Sequence, residues 1–189
     1  MSKKIVFITG GARSGKSSFA MAEASKIDGR KAYIATAEAL DEEMKERIEK
    51  HKKQRGNKWD TYEEPLNISA LVKKIEKDYN VIVIDCLTLW LSNLLIRAQN
   101  TEHRTQTIEK EIEKLINTLN LFKKSSGCDL DSGFCTLFIV SNEVGMGIVP
   151  GNEMARRFRD WAGMLNQRVA EIADEVYIVV SGIPVKIKG

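Results

Sequence analysis

The stretch Ile5-Val6-Phe7-Ile8-Thr9-Gly10-Gly11-Ala12-Arg13-Ser14-Gly15-Lys16-Ser17-Ser18-Phe19-Ala20 decides the fold. Four apolar, largely β-branched residues predict a strand, and the residues after Lys16 predict a helix. Between them Gly10-x-x-x-x-Gly15-Lys16-Ser17 has the spacing of a P-loop. In that loop backbone N–H groups and a helix N-terminus cradle phosphates, the lysine neutralises their charge and the hydroxyl of the last residue holds Mg²⁺. A glycine-rich turn arising by chance lacks the strand before it and the helix after it. The pattern therefore predicts a nucleoside triphosphate on Gly10, Gly11, Ala12, Arg13, Ser14, Gly15, Lys16 and Ser17, with Lys16 acting on the phosphates and Ser17 on the metal.

Outward from this motif, short β-rich runs alternate with longer segments of 3.6-residue period, the signature of a mostly parallel sheet flanked by helices. Strands are predicted at 5–9, 31–35, 81–85, 136–141 and 175–180, with a short sixth at 185–188. Helices are predicted over 16–25, 41–55, 68–79, 108–122 and 152–173. Asn67 is placed to cap the third of these, whose stripe is Leu71, Val72, Ile75 and Tyr79. Ile108, Ile112, Leu115, Leu119 and Phe122 mark the inner face of the fourth, and Met154, Phe158, Trp161 and Leu165 that of the fifth. Residues 56–65 and 125–135 show neither period and read as loops.

The 189 residues fit a single domain, 1–189, and a 43% hydrophobic content supplies a core without disulfides or structural metals. A formal charge of +3 is too mild for a general nucleic-acid or membrane partner and leaves small anions as ligands. Thr9-Gly10-Gly11 ends the first apolar run too early for a signal peptide, and the apolar stretch 81–96 carries Asp85, Ser92 and Asn93 and is too short to span a bilayer. A cytoplasmic location is expected. Cys86, Cys128 and Cys135 form an odd set without a CxxC pair, which argues against a disulfide framework and a four-ligand zinc site.

Asp85 ends the strand Val81-Ile82-Val83-Ile84, where a Walker-B carboxylate belongs, and is expected to serve the P-loop metal directly or through water. Capping the next helix is the plainer alternative. His51 lies in the cationic segment Arg47-Ile48-Glu49-Lys50-His51-Lys52-Lys53-Gln54-Arg55, and its residues alone spell neither a triad nor a metal site, so a packed or surface histidine is the plain reading. His103 reads as solvent-facing. Asn142-Glu143-Val144-Gly145-Met146-Gly147-Ile148-Val149-Pro150 follows the fourth predicted strand, at the sheet edge where ligands bind in open α/β folds. Arg156, Arg157 and Arg159 come next, either as a solvated charge run or as an anion site.

Taken together these blocks resemble the bifunctional adenosylcobinamide kinase and adenosylcobinamide-phosphate guanylyltransferase family of cobalamin biosynthesis. The likeness covers nearly the whole chain, through the P-loop, Tyr33-Ile34-Ala35-Thr36, the 47–52 segment, the 142–150 block, Phe158-Arg159-Asp160, Asn166-Gln167-Arg168 and Val179-Val180-Ser181-Gly182-Ile183. It implies a RecA-like P-loop fold and a homotrimer. It also implies two reactions: phosphorylation of adenosylcobinamide by GTP or ATP, and transfer of GMP from GTP to the resulting phosphate through a guanylyl-histidine. The matching histidine is His51. The resemblance further implies nucleotide contacts at Ala35, Thr36 and Ala37, at Lys52, Lys53, Gln54 and Arg55, and at Glu63 and Asp85. The chain departs from the family pattern at Lys50, where the family has a second histidine, at Asp85, where it has Glu, and in the added loop between Cys128 and Cys135.

Overall fold

The structure, a computed structural model, describes residues 3–38, 42, 45, 46, 58–98, 104–125 and 134–189. Among them seven strands form one sheet: β1 (Lys3–Gly10), β2 (Lys31–Ala35), β3 (Asp60–Glu63), β4 (Val81–Asp85), β5 (Cys135–Val140), β6 (Glu175–Val180) and β7 (Ile183–Lys188). Their spatial order is β3-β2-β4-β5-β1-β6-β7. All neighbours are parallel except β6 and β7. The described helices are α1 (Lys16–Ser25), α2 (Ile68–Ile75), α3 (Leu87–Arg97), α4 (Arg104–Lys124) and α5 (Glu153–Ile172).

The inner strands are apolar on both faces because both faces are covered. Ile5, Phe7, Ile34, Ile82, Ile84, Leu137 and Ile139 pack under α2, α3, α4 and α5. The alternate residues Val6, Ile8, Tyr33, Val83, Phe138 and Val140 pack with Ala20 and Ala24 of α1 and with Trp59. The stripe predicted for α4 is buried throughout, and Trp161 and Leu165 of α5 are buried with Met154 and Phe158 packed beside them. The expected mostly parallel sheet flanked by helices is what forms.

Four local readings need correction. Residues 60–63 were expected in a loop and instead form β3, which pairs with β2 from Ala32↔Asp60 to Ala35↔Glu63. An edge strand mostly exposed to solvent gains its backbone hydrogen bonds without an apolar alternation, so the period test is blind to it. Helix α3 is absent from the sequence reading, because β4 runs into it with only Cys86 between and the mostly apolar stretch 81–96 carries no turn signal. Helix α2 stops at Ile75, although Tyr79 beyond it remains buried. Asn67 takes the cap position but its side chain makes no cap; the Glu64 carboxylate accepts from the Leu66 and Asn67 N–H groups at 3.0 and 2.7 Å. The helix expected over 41–55 lies almost wholly outside the described residues.

Candidate active site

The P-loop is shaped by three residues in the left-handed half of φ space: Gly10 at 147°, Arg13 at 56° and Gly15 at 98°. A side chain at Gly10 would lie 2.3 Å from the Val179 carbonyl oxygen, and one at Gly15 would lie 3.3 Å from Gly182 Cα. Both glycines are therefore required by close backbone packing as well as by φ. Ser14 N–H donates to Gly11 O at 3.2 Å, and Gly182 N–H donates to Ser14 O at 2.8 Å. The turn between β6 and β7 thus buttresses the phosphate loop. Ser181 and Gly182 both have positive φ, as a two-residue hairpin of this hand requires.

Lys16 opens α1 and is only 6% exposed. Its Nζ donates to Gly11 O at 2.5 Å and to Ser14 Oγ at 3.5 Å, so the ammonium lies across the loop that carries it. Ser17, next along α1, is half-buried. Helix N–H groups and a buried cation converge here, an arrangement suited to the phosphates of a nucleotide.

Asp85, at the tip of β4, accepts a hydrogen bond from Tyr33 Oη at 2.5 Å. The neighbouring Cys86 thiol is pushed up to about 11, first by burial and then by the Asp85 charge, while the Thr88 and Leu89 N–H groups and the Lys16 ammonium pull it down. Lys16 and the β4 tip are therefore electrostatic neighbours, and Cys86 stays a neutral thiol near pH 7. Thr36 ties the tip of β2 to β4. Its Oγ1 donates to Cys86 O and accepts from Cys86 N–H, both at 2.7 Å, while its own N–H donates to Asp85 O at 3.1 Å. Asn93 Nδ2 of α3 donates to Thr36 O at 2.7 Å. Thr36 is fully buried and its polar groups are hydrogen-bonded within the fold, and Ala37, half-buried, is the most accessible residue of 35–37. Glu63, at the end of β3, sits in register with Ala35 beside this rim.

The chain leaving β5 enters the same rim. Glu143 N–H donates to Gly10 O at 2.9 Å, Asn142 N–H donates to Thr88 Oγ1 at 2.6 Å, and Asn166 Nδ2 donates to Asn142 O at 3.1 Å. The arginines that follow divide by role. Arg156 Nη1 donates to Pro150 O at 2.9 Å and to Gly151 O at 2.6 Å, and Arg157 pairs with Glu153 at 2.9 Å. Arg159 is left with Asp160 at 4.0 Å. Of the three, Arg156 is thus tied to the rim backbone and Arg157 to the exposed face of its own helix. His51, Lys52, Lys53, Gln54 and Arg55 lie outside the described residues, as do Cys128 and His103.

Tyr33, Asn93 and Gly182 were not singled out chemically by the sequence. Their positions depend on parallel register and on a crossing helix, and a lone Tyr in a strand or Asn in an apolar helix carries no local signal of that.

Comparison with known proteins bears on the family and the fold. A family model described as cobinamide kinase / cobinamide phosphate guanyltransferase matches residues 6–187. The chain is 40% identical over 191 residues to the bifunctional adenosylcobalamin biosynthesis protein CobU of Salmonella typhimurium, covering 97% of this chain and 99% of that one. It is 38% identical over 182 residues to the bifunctional adenosylcobalamin biosynthesis protein CobP of Pseudomonas aeruginosa, covering 96% of both. In fold it is similar to a prototypical ATPase from a type III secretion system, with a TM-score of 0.56 and 11% identity. That match covers 94% of this chain and 52% of the ATPase, and it bears out the RecA-like P-loop fold alone. The match over nearly the entire length places the chain in the cobinamide kinase / cobinamide phosphate guanyltransferase family.

Proposed function

We propose that one P-loop serves both reactions of this bifunctional enzyme, phosphorylation of adenosylcobinamide and guanylylation of the product. The observation that carries the reading is the buried Lys16 ammonium held against the P-loop beside the Asp85 strand tip. Its bonds to a neutral carbonyl and a hydroxyl are exchangeable for phosphate oxygens, since charge-assisted hydrogen bonds are the stronger ones. In the first reaction the substrate hydroxyl attacks the γ-phosphorus of GTP or ATP and the nucleoside diphosphate leaves. In the second, a neutral imidazole nitrogen of His51 attacks the α-phosphorus of GTP and pyrophosphate leaves. The phosphate of adenosylcobinamide phosphate then attacks the same phosphorus, freeing His51 and giving adenosylcobinamide-GDP.

The donor set fits Mg²⁺: Ser17 offers a hydroxyl and Asp85 a carboxylate, both hard oxygen ligands, and Mg²⁺ on a nucleotide takes one or two protein oxygens with its phosphates and waters. Among the described residues there is no cluster of three or more His, Cys, Asp or Glu that would form an all-protein cage. When bound, the ion offsets charge on the phosphate oxygens. Lys52, Lys53, Gln54 and Arg55 would neutralise the triphosphate next to His51, and Ala35, Ala37 and Glu63 would line the nucleoside.

No described helix is long and apolar enough to cross a membrane. The reading takes the enzyme as a cytoplasmic, single-domain homotrimer with no nucleic-acid partner. The exposed apolar residues Ile183, Val185 and Ile187 of the edge strand β7 favour association between copies.

The test is incubation of the pure protein with GTP and Mg²⁺ without a corrinoid. The expected result is an acid-labile mass increase of one GMP, mapped to His51 and absent from His51→Asn. Product formation by an enzyme that never carries the adduct would replace the covalent route with direct transfer.

A further inference from the structure

Within the strap of residues 144–150, Val144 packs against the core, while 145–149 are exposed and take no part in the core or the nucleotide contacts described above, and their make-up is unusual for a loop. Met146, Ile148 and Val149 are 79, 96 and 60% exposed. Residues 144–152 carry no charge at all. Singly exposed apolar residues are ordinary, but three within four positions, beside a phosphate-binding loop, make a patch. The strap is firmly held at both ends. Glu143 N–H is hydrogen-bonded to Gly10 O of the P-loop at one end, and Arg156 clasps Pro150 O and Gly151 O at the other. Gly145 N–H is turned onto Glu143 Oε1 at 3.0 Å. Among the described residues, the backbone groups of 146–149 make no backbone hydrogen bond outside helices and strands, and a side chain at Gly147 would meet nothing within 4 Å. The strap therefore presents Met146, Ile148 and Val149 on an exposed, uncharged loop whose polar groups are neutral peptides.

That surface calls for a ligand that is apolar in its body, rich in neutral amides at its rim and too large to be enclosed. A corrin macrocycle with primary amide arms has this chemistry, while nucleotides and acidic peptides do not. We propose that residues 144–150 form the acceptor subsite, on which Met146, Ile148 and Val149 support the corrinoid while its hydroxyl or phosphate arm reaches the P-loop. The inference rests on the two-reaction reading above, and it adds where the acceptor sits. A second copy of the chain is the competing occupant. Strand β7, which is at the sheet edge among the described residues, is better suited to that, because it offers a row of strand hydrogen bonds that the strap does not.

The experiment compares wild type, Ile148→Ser, Met146→Ser and the conservative Ile148→Leu. For each, the KM for cobinamide in the kinase reaction, binding of a non-hydrolysable GTP analogue and the solution mass by light scattering are measured. Losing one buried apolar side chain at a binding surface is worth about ten-fold or more. Each Ser variant is expected to raise the KM for cobinamide by at least that factor with unchanged GTP-analogue affinity and unchanged mass, and Ile148→Leu is expected to restore wild-type KM. An unchanged KM in both Ser variants overturns the acceptor subsite, and a change of mass in them assigns the strap to a second copy and overturns it equally. Failure of the wild type itself to phosphorylate cobinamide is a separate result, one that overturns the two-reaction reading.

Discussion

Lys16 and Asp85 show how single side chains acquire function from where the backbone holds them. Lys16 is buried against its own loop, and its charge adds to the loop's N–H groups a stabilisation that no neutral residue replaces. Lys16→Ala is therefore expected to lower both kinase and guanylyltransferase turnover by about 10²–10³-fold or more, with weaker triphosphate binding and an unchanged circular dichroism spectrum. Wild-type rates in the folded variant would remove the P-loop from the mechanism. Asp85 is oriented by Tyr33 Oη at the tip of β4. Replacing it with Asn removes a negative charge and weakens a hard-cation site, so Asp85→Asn should shift the Mg²⁺ activation curve to higher concentration. An unmoved curve would leave Asp85 with the structural role of holding Tyr33. Cys86, beside it, should resist alkylation at neutral pH, because burial and the Asp85 charge keep the thiol protonated.

At the scale of elements, the phosphate loop depends on its neighbours as much as on its own residues. The β6–β7 hairpin touches it through Gly182 N–H of its turn and through the Val179 carbonyl of β6, which lies where a Gly10 side chain would go. Gly10→Ala should cost about 1–3 kcal/mol of stability for a strained φ alone, and should weaken nucleotide binding because loop or hairpin must move. A denaturant titration together with a nucleotide-binding curve checks both. Helix α5 is different, since its start is set locally: Asn152 Oδ1 accepts from Ala155 N–H at 3.2 Å. Asn152→Ala should cost about 1 kcal/mol, read as a shift in the denaturation midpoint at constant slope.

Across the whole molecule, the far end of the sheet is tied by charge. Glu175 of β6 is bound by Lys4 of β1 at 2.9 Å and by Lys186 of β7 at 2.8 Å, linking three adjacent strands. Those lysines, with Lys186 the larger influence, hold its carboxyl at about 2 against an ordinary 4.5. A carboxyl lowered on folding stabilises the fold fully above its unfolded value. That stabilisation drains away as the pH falls from about 4.5 towards 2. Glu175→Gln is expected to flatten the loss of stability over that window, and an identical acid profile for wild type and variant would show that the carboxylate contributes nothing there.

Much of this architecture was legible because its signals are local. The P-loop spacing, the apolar strands 5–9 and 81–85 and the stripe from Ile108 to Phe122 each follow from backbone periodicity, which a residue and its near neighbours determine. Hence the phosphate loop, the parallel sheet and the strand-end Asp85 could be named from the chain alone. Strand β3 escaped notice because an exposed edge is held by backbone pairing to β2, and α3 because only Asp85 and Cys86 separate it from the apolar run of β4. Only the tertiary structure decided the rest. Sheet order set β5 between the strands of Lys16 and Asp85, and so brought residues 142–150 onto the phosphate rim. The same packing turned Arg156 inward as a clasp for that strap and spent Thr36 as a tie between strands. The Glu143–Gly10 and Thr36–Cys86 links join residues tens of positions apart, and a partner across such a span is chosen by register and packing, which local sequence does not encode.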